Sequence, residues 1–374
     1  MEGRPSLRPV ITGAAIHADL PVVDGHNDLP WQIRQRAGSD LAAADPRRHL
    51  DGYHTDLDRL TAGGVGGQFW SVYVPSTEPN AFAATLEQID LVDRMVALAP
   101  DRLADAVTAA EVRAIRGEGR VASLRGAEGG HCIEDSLDKL AALHERGVRY
   151  LTLTHTETIG WADSATDEPR HGGLTGFGRR VVAQMNRLGM IVDISHVSPD
   201  TMRSAVAVSD HPVIASHSGA SAIAPHPRNV PDDVLELIAG NGGVVMVPFY
   251  PPFLVPATAA RSVAMFAEGR RLLAELGDRD EVDRITSAAK TGWDRGSVGD
   301  VVDHIEHIAR VAGVEHVGLG SDFDGIDMTV TGLEDVAAYP VVTDLLLARG
   351  WSEREVRKVL GDNVLRVLEV VTGR

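Results

Sequence analysis

Residues 22–30 read VVDGHNDLP and place a histidine and an aspartate, two positions apart, shortly after a pair of β-branched valines. The valines favour a strand. Side chains two residues apart on a strand point to the same face, so we expect His26 and Asp28 to project together from the strand end. Two such side chains can ligate a metal ion, act together in catalysis, or simply hydrogen-bond to each other. The rest of the sequence must decide between these uses.

Composition excludes several classes of protein. The 374 residues carry a net charge of −17, which argues against binding to nucleic acid or to an anionic membrane surface. Cys132 is the only cysteine, so no intrachain disulfide can form. No apolar run approaches the ~20 residues of a membrane span, and the first residues lack the apolar core of a signal peptide. We therefore expect a cytoplasmic protein without membrane or nucleic-acid partners.

Eight short and mostly apolar runs are predicted as strands, with helical patterns between them. They are residues 22–25, 65–73, 120–126, 149–154, 190–195, 213–216, 243–249 and 316–320. Apolar residues on both faces are typical of a parallel sheet that is flanked by helices. Eight such units favour an α/β fold of the (β/α)8 TIM-barrel type over an open doubly wound sheet. No GxGxxG motif follows the first strand, which weakens the dinucleotide-binding alternative.

The chain shows no linker that would divide it. We therefore predict a single metal-dependent hydrolase domain over residues 1–374, with a C-terminal helical tail from about residue 333. In that tail Ser352 and Glu355 have the spacing of a capping box. Residues 250–297 differ in character from the rest and form either a wall of the pocket or an oligomer contact, such as that of a homodimer.

Ionisable residues follow six of the eight predicted strands. In a barrel the functional residues lie at the carboxyl ends of the strands. The residues at these positions are His26, Asp28, Glu128, His155, His196, His217 and Asp322. Each has a plain alternative, as a hydrogen-bonded pair, a turn carboxylate or a core histidine, but together they favour a metal site. His304 and His307 are set aside as residues of a solvated helix face.

Five of these residues supply nitrogen or oxygen ligands. Catalytic zinc usually keeps three protein ligands, so five ligands exceed one site and fall one short of two. Glu128 can resolve this as a bridge, with His26 and Asp28 on one ion and His196 and His217 on the other. Ions ~3.5–4 Å apart would then hold a bridging hydroxide. The mixed ligand set suits Zn²⁺ without excluding Mn²⁺ or Co²⁺.

Several motifs together resemble the renal, or membrane, dipeptidase family of zinc peptidases within the amidohydrolase-like barrels. The motifs are VVDGHNDLPW, AEGG, LTLTH…WADS, VDISHVS, SHSGASAIAPHPRNVPDD and GSDFDG. They extend over roughly residues 20–325 and follow one another in the same order as in that family. The resemblance implies hydrolysis of dipeptides, including L-Xaa-D-Xaa, with two Zn²⁺ per chain that share Glu128. Animal members are secreted, lipid-anchored and disulfide-containing. A chain with one cysteine is expected to be a soluble bacterial relative.

The resemblance also assigns roles to residues of the pocket. The residue that matches His155 contacts the substrate and the developing tetrahedral centre, and the one that matches Asp322 handles protons. The residue that matches Arg228 binds the substrate carboxylate. The alternative for Arg228 is a surface arginine that pairs with Asp232 or Asp233. We also assign Tyr250 to substrate binding.

The predicted mechanism is attack of a metal-bridging hydroxide on the peptide carbonyl. One zinc ion and His155 stabilise the oxyanion, and Asp322 passes the proton to the leaving amine. Arg228 anchors the carboxylate through paired charge-assisted bonds. Two alternatives stay open: another amidohydrolase-type hydrolase, such as a lactonase or amidase, and a metal-binding barrel without activity. Lactonase-like barrels commonly bridge their metals with a modified lysine, and no predicted strand end carries a lysine.

Overall fold

The computed structural model describes residues 12–277 and 279–373, and in this part of the chain nine strands form one parallel sheet. The strands are β1 (Val22–Asn27), β2 (Val65–Ser71), β3 (Leu103–Asp105), β4 (Val121–Glu128), β5 (Val148–Thr152), β6 (Ile191–Asp193), β7 (Ile214–Ala215), β8 (Val244–Val247) and β9 (Val317–Leu319). Eight of them follow the order β1-β2-β4-β5-β6-β7-β8-β9, and β3 pairs only with β4. Each of the eight overlaps a predicted run, so the predicted barrel is confirmed.

The first and last strands of the barrel meet through a few backbone contacts and a buried carboxylate. Asn27 and Phe323 form an isolated parallel bridge, and the Asp28 amide donates to the Phe323 carbonyl at 2.8 Å. Asp24 accepts hydrogen bonds from the amide of Ser321 at 2.8 Å and from its hydroxyl at 2.7 Å. Because Asp24 is fully buried, these bonds replace the hydration that the carboxylate loses. The barrel is therefore nearly closed at this seam.

Helices surround the barrel and fill most of the connections between strands. The α-helices of the described residues are α1 (Gly13–Asp19), α2 (Leu29–Ala37), α3 (Leu57–Ala62), α4 (Ala81–Leu98), α5 (Ala109–Gly117), α6 (Leu137–Glu145), α7 (Gly176–Leu188), α8 (Pro199–Val208), α9 (Asp232–Asn241), α10 (Pro251–Leu254), α11 (Pro256–Leu276), α12 (Arg279–Ala289), α13 (Val298–Ala312), α14 (Tyr339–Ala348), α15 (Glu353–Arg357) and α16 (Asn363–Thr372). None of them is long and apolar enough to cross a bilayer.

The C-terminal part of the described chain is mostly helical, as the sequence predicts. Ser352 and Glu355 form the predicted capping box at the start of α15. Apolar residues of α16, among them Val364 and Leu368, join the cluster of side chains that fills the barrel. The assignment of the whole chain to one domain stays a prediction.

The strands carry apolar side chains on both faces because each face meets a different core. Phe69, Tyr150 and Ile191 belong to the cluster that fills the barrel, whereas their chain neighbours, such as Trp70 and Leu151, belong to the cluster shared with the outer helices. Strict alternation between the two clusters is the expected pattern for a barrel strand. This two-sided burial explains why the strands read as nearly continuous apolar runs.

The prediction that His304 and His307 lie on a solvated helix face is wrong. Both are buried, because α13 packs against α9 and α14. His304 Nδ1 accepts from the Ala220 amide at 2.8 Å, and its Nε2 donates to the Leu254 carbonyl at 3.1 Å. Burial lowers the pKa of His304 to about 4, so its ring is neutral and serves as a structural hydrogen-bonding group.

Gly126 on β4 lies opposite Tyr150 on β5, and this pairing generates a stability prediction. A Cβ atom at position 126 would overlap the Tyr150 ring. Gly126→Ala should therefore lower the free energy of unfolding by about 1–3 kcal/mol through overpacking. The measurement is guanidinium chloride unfolding followed by circular dichroism.

The matched control for this prediction is Gly117→Ala at the end of α5. A Cβ at position 117 meets nothing within 4 Å, so this change should leave stability unchanged or raise it by up to about 1 kcal/mol. Equal unfolding midpoints for the two variants would contradict the packing argument.

Candidate metal centre and substrate cavity

Four strand ends bring the five predicted metal ligands to one point. His26 lies on β1 and Asp28 directly follows it, Glu128 ends β4, and His196 and His217 lie just beyond β6 and β7. His26 Nε2 is 3.2 Å from Asp28 Oδ2 and 3.5 Å from Glu128 Oε2. The other oxygen of Glu128, Oε1, is 3.0 Å from His196 Nε2 and 3.4 Å from His217 Nε2. Glu128 therefore presents one oxygen to each group of ligands.

The candidate ligand atoms form sets of three, called trios below, whose members lie close enough together to hold a metal ion. In three sets of three residues the ligand atoms lie within 4.8 Å of one another: His26, Asp28 and Glu128; Glu128, His196 and His217; and His26, His217 and Asp322. Among the described residues, His26 Nε2 is a buried nitrogen without a hydrogen-bond partner. Buried polar atoms normally have partners, so this nitrogen and the carboxylates beside it fit a bound cation. The nitrogen and oxygen donor set suits zinc and similar divalent ions.

For two of the candidate ligands, His196 and His217, burial favours the protonation state that metal binding requires. Burial and the nearby Arg228 guanidinium hold the pKa values of His196 and His217 well below their usual range, so both rings are neutral. A neutral imidazole is the form that binds a metal. Burial raises the pKa of Glu128, because an isolated anion is unfavourable there. A nearby cation would offset that cost.

The chain leaves two of these strands through unusual backbone conformations. His196 and Asp322 both have φ of 66°, in the left-handed region that residues other than glycine rarely adopt. The Asp322 amide donates to the His26 carbonyl at 3.1 Å, which helps to fix its turn. Such backbone strain is commonly found at functional sites, where the surrounding structure enforces it.

Three of the candidate ligands, Asp28, Glu128 and His196, form one side of a cavity of about 350 Å³. Its apolar wall consists of Trp31, Tyr73, Tyr250, Phe253, Phe266 and Ile326. A mostly apolar cavity with a few convergent polar groups is typical of a small-molecule site. The volume lies at the small end of the range for such sites, which suits a compact ligand.

Arg228 is a buried cation that faces this cavity without a carboxylate partner. Its side chain is 1% exposed, and its contacts to the Ser218 hydroxyl and the His217 carbonyl are long, at 3.4 Å each. No ion pair to Arg228 occurs within the described ranges, and its Nε lacks a hydrogen-bond partner. Burial lowers the pKa of the guanidinium to about 10. A buried charge in this state fits an anionic group of a ligand.

The alternative interpretation of Arg228 as a surface arginine is wrong. Its proposed partners are taken by other residues: Asp233 pairs with Arg203 at 2.8 Å, and Asp232 pairs with His307 at 2.7 Å. Arg228 is instead drawn inward, because the loop that carries it is anchored by Asn229. The Asn229 amide group donates to the carbonyls of Ala224 and Phe253 at 2.8 and 2.7 Å.

The other three predicted site residues also line the cavity. His155 Nε2 lies 3.8 Å from Glu128 Oε1, and its ring stacks on that of His196 with centroids 4.2 Å apart. Asp322 belongs to one of the metal-sized trios, and burial raises its pKa well above the usual range. The Tyr250 hydroxyl accepts a hydrogen bond from Lys290 at 3.1 Å.

Several cavity residues had no signal in the sequence. Phe253, Phe266 and Lys290 belong to residues 250–297, which the sequence assigned to either the pocket or an oligomer contact; the structure places them in the cavity wall. Lys290 Nζ lies 2.6 Å from Asp327 Oδ2 at the same wall. The helices α10 to α12, which follow β8, bring these side chains back over the strand ends. No local sequence motif predicts this arrangement.

Comparisons with known proteins agree with this geometry. The sequence pattern described as membrane dipeptidase (peptidase family M19) matches residues 12–373. Dipeptidase verJ from Clonostachys rogersoniana is 39% identical over 95% of this chain and 85% of its own length. Dipeptidase 3 from Mus musculus is 40% identical over 96% of this chain and 66% of its own length.

Solved structures of metallopeptidases share the fold over nearly the whole chain. Dipeptidase AC, a metallopeptidase, is 30% identical with a TM-score of 0.76, over 95% of this chain and 99% of that one. A metallopeptidase from Rhodobacter sphaeroides, liganded with a phosphinate mimic of the dipeptide L-Ala-D-Ala, is 28% identical with a TM-score of 0.75, over 94% and 99%. The chain therefore belongs to the membrane dipeptidase family, peptidase family M19, and is a metallo-dipeptidase.

Proposed function

We propose that this chain is a binuclear zinc dipeptidase that hydrolyses dipeptides, including those of the form L-Xaa-D-Xaa. The observation that carries the proposal is the buried Arg228, which has no ion pair in the described part of the chain and lines the same cavity as members of two ligand trios that share Glu128. A dipeptide has a free carboxylate close to its only peptide bond, so it can reach both features at once. The L-Ala-D-Ala mimic held by the Rhodobacter sphaeroides relative supports this substrate class.

The metal positions follow from the two trios around Glu128. His26, Asp28 and Glu128 would hold one ion, and Glu128, His196 and His217 the other. When bound, the two zinc ions would activate a water molecule as the nucleophile and polarise the peptide carbonyl.

Three side chains of the cavity would complete the catalytic arrangement. The Arg228 guanidinium binds the substrate carboxylate, and its planar fork matches the two oxygens. His155, beside Glu128 and His196, donates a hydrogen bond to the oxygen that gains charge. Asp322 accepts a proton on its carboxylate and delivers it to the leaving amine. Tyr250 and the other aromatic residues shield the reacting groups from water.

The alternative functions differ in what they require of the cavity. A lactonase or amidase of the same fold has no need of a guanidinium next to the metal centre, whereas a dipeptidase does. A metal-binding barrel without activity has no need of His155, Asp322 and Arg228 around one cavity, yet all three line it. The dipeptidase therefore accounts for more of the observed geometry than either alternative.

The first prediction about this centre concerns metal content. The purified enzyme should carry about two metal ions per chain, because five ligands serve two ions only through a shared carboxylate. Glu128→Ala should lose both ions, and Asp28→Ala should mainly weaken one. Elemental analysis of the proteins after dialysis measures this. One ion in the wild type, with no change in Glu128→Ala, would rule out the binuclear centre.

A second prediction separates proton transfer from metal binding at Asp322. Asp322→Asn keeps the shape of the side chain but cannot carry the proton, so kcat should fall by about 10²–10⁴-fold while bound zinc and stability are retained. Steady-state kinetics and elemental analysis test this together. Parallel loss of metal and activity would instead make Asp322 a ligand, as its trio with His26 and His217 allows.

The control for Asp322 is Asp324→Asn in the same turn. Asp324 is also buried with a positive φ, but it accepts a hydrogen bond from the His54 amide and does not line the cavity. This variant should keep kcat within a few-fold of the wild type. A collapse of kcat in both variants would mean that the turn, and not the Asp322 carboxylate, is what activity needs.

A third prediction concerns the substrate carboxylate. Arg228→Ala should lose a charge-assisted interaction of about 1.5–3 kcal/mol, or about ten- to a hundredfold in kcat/KM. Amidation of the dipeptide C-terminus should cost the wild type a similar factor. Because both changes remove the same contact, their combination should cost little more than either alone.

Arg203→Ala is the matched control, since Arg203 lies on the outside of α8 and pairs with Asp233. It should leave kcat/KM unchanged on both substrates. If Arg228→Ala slows the free and the amidated dipeptide by the same factor, Arg228 does not bind the carboxylate.

A further inference from the structure

The Nδ1 atom of His26, the ring nitrogen that points away from Asp28 and Glu128, hydrogen-bonds to a buried tyrosine. His26 Nδ1 lies 2.8 Å from the Tyr150 hydroxyl, and this hydroxyl lies 3.2 Å from the Gly25 carbonyl. A carbonyl oxygen can only accept, so the Tyr150 hydroxyl donates its proton to Gly25. The phenol oxygen then accepts from the Nδ1–H of His26. This arrangement leaves the lone pair on Nε2, which faces Asp28 and Glu128.

His217 is held in the same way by a serine and an aspartate. Ser216 Oγ lies 2.7 Å from Asp193 Oδ2 and 2.9 Å from His217 Nδ1. Asp193 also accepts from the amides of Ser195 and Ser216 and from the Thr152 hydroxyl, so it is a pure acceptor. Ser216 therefore donates to Asp193 and accepts from the Nδ1–H of His217. The Nε2 lone pair of His217 again faces Glu128.

Neighbouring residues of the barrel interior leave room for the ring of Tyr150. Tyr150 is fully buried and packs against Phe69 with ring centroids 5.2 Å apart. Its ring occupies the space that Gly126 leaves free on the neighbouring strand. A phenylalanine would fill the same volume, so packing alone does not account for the hydroxyl. The two hydrogen bonds of that hydroxyl do.

We propose that Tyr150 and Ser216 are positioning residues that set the affinities of the two metal positions separately. Among the candidate ligands of the described chain, Tyr150 hydrogen-bonds to His26, in the trio that contains Asp28, and Ser216 hydrogen-bonds to His217, in the trio that contains His196. Each fixes the tautomer and orientation of one ligand. This inference rests on the proposed two-metal centre.

The test measures zinc affinity directly, by competition with a chromophoric chelator, together with zinc content by elemental analysis. Tyr150→Phe should weaken one of the two ions by about 10–100-fold, the usual cost of removing a group that hydrogen-bonds to a ligand, and leave the other unchanged. Ser216→Ala should weaken only the other ion by a similar factor. A purely structural role would move both affinities together.

The position of each effect is assigned in the Asp28→Ala background, in which only the ion between Glu128, His196 and His217 is held tightly. There Ser216→Ala should still weaken the remaining ion, and Tyr150→Phe should not. Tyr339→Phe is the matched control, because Tyr339 is an equally buried tyrosine whose hydroxyl donates to Asp24 at 2.6 Å and, within the described chain, has no hydrogen bond to an imidazole. It should keep both affinities.

The inference is overturned if Tyr150→Phe and Ser216→Ala bind both ions as the wild type does, or if both weaken the same ion. Circular dichroism establishes that each variant is folded, and if Tyr150→Phe does not fold, the two Ser216→Ala proteins decide the result. Dipeptide hydrolysis by the wild type is measured separately. Its absence would overturn the proposed function, whereas the zinc affinities alone decide the role of Tyr150 and Ser216.

Discussion

The arrangement of this site depends on the buried carboxylate of Glu128. Four imidazole nitrogens lie around it, with His26 3.5 Å from Oε2 and the other three, His155, His196 and His217, at 3.8, 3.0 and 3.4 Å from Oε1. A carboxylate in this environment is unfavourable by itself, because burial raises its pKa by more than the nearby His26 ring lowers it. Positive charge between Glu128 and the rings relieves this cost, which is why the cluster fits metal ions better than a structural hydrogen-bond network.

The cavity beside Glu128 holds a second buried charge, the guanidinium of Arg228. Arg228 is as deeply buried as the ligands, yet it lacks the ion pair that such a group normally has among the described residues. Its charge lowers the electrostatic cost of the nearby carboxylates Glu128 and Asp322, and its Nε–H has no hydrogen-bond partner among the described residues. A molecule with a carboxylate near a hydrolysable bond can contact Arg228 and the candidate metal ligands at the same time. This complementarity links the metal centre to the substrate class of the dipeptidase family.

The barrel supplies the rigidity that these charges require. Asp24 joins the first and last strands, and Asp193 joins three consecutive ones by accepting from Thr152, Ser195 and Ser216. Asp24 lies two residues before the candidate ligand His26, and Asp193 lies three residues before the candidate ligand His196. Their bonds hold those strand ends in register, so that a ligand side chain cannot shift without disturbing a buried carboxylate. The same residues that close the fold therefore also fix the geometry of the site.

The sequence by itself determined the fold class and the candidate ligands, because eight apolar strands and the ionisable residues after them are local patterns. Even there, simple alternation does not by itself place His26, because the register of β1 is irregular between Val22 and Val23 and between Asp24 and Asn27, and such irregularities change where side chains point. Only the tertiary structure decided which distant residues meet. Tyr150 reaches His26 across 124 positions of the chain, and Lys290 reaches Asp327 from a helical excursion. Arg228 gave no local sign of burial, because burial depends on the packing of segments that are far apart in the sequence.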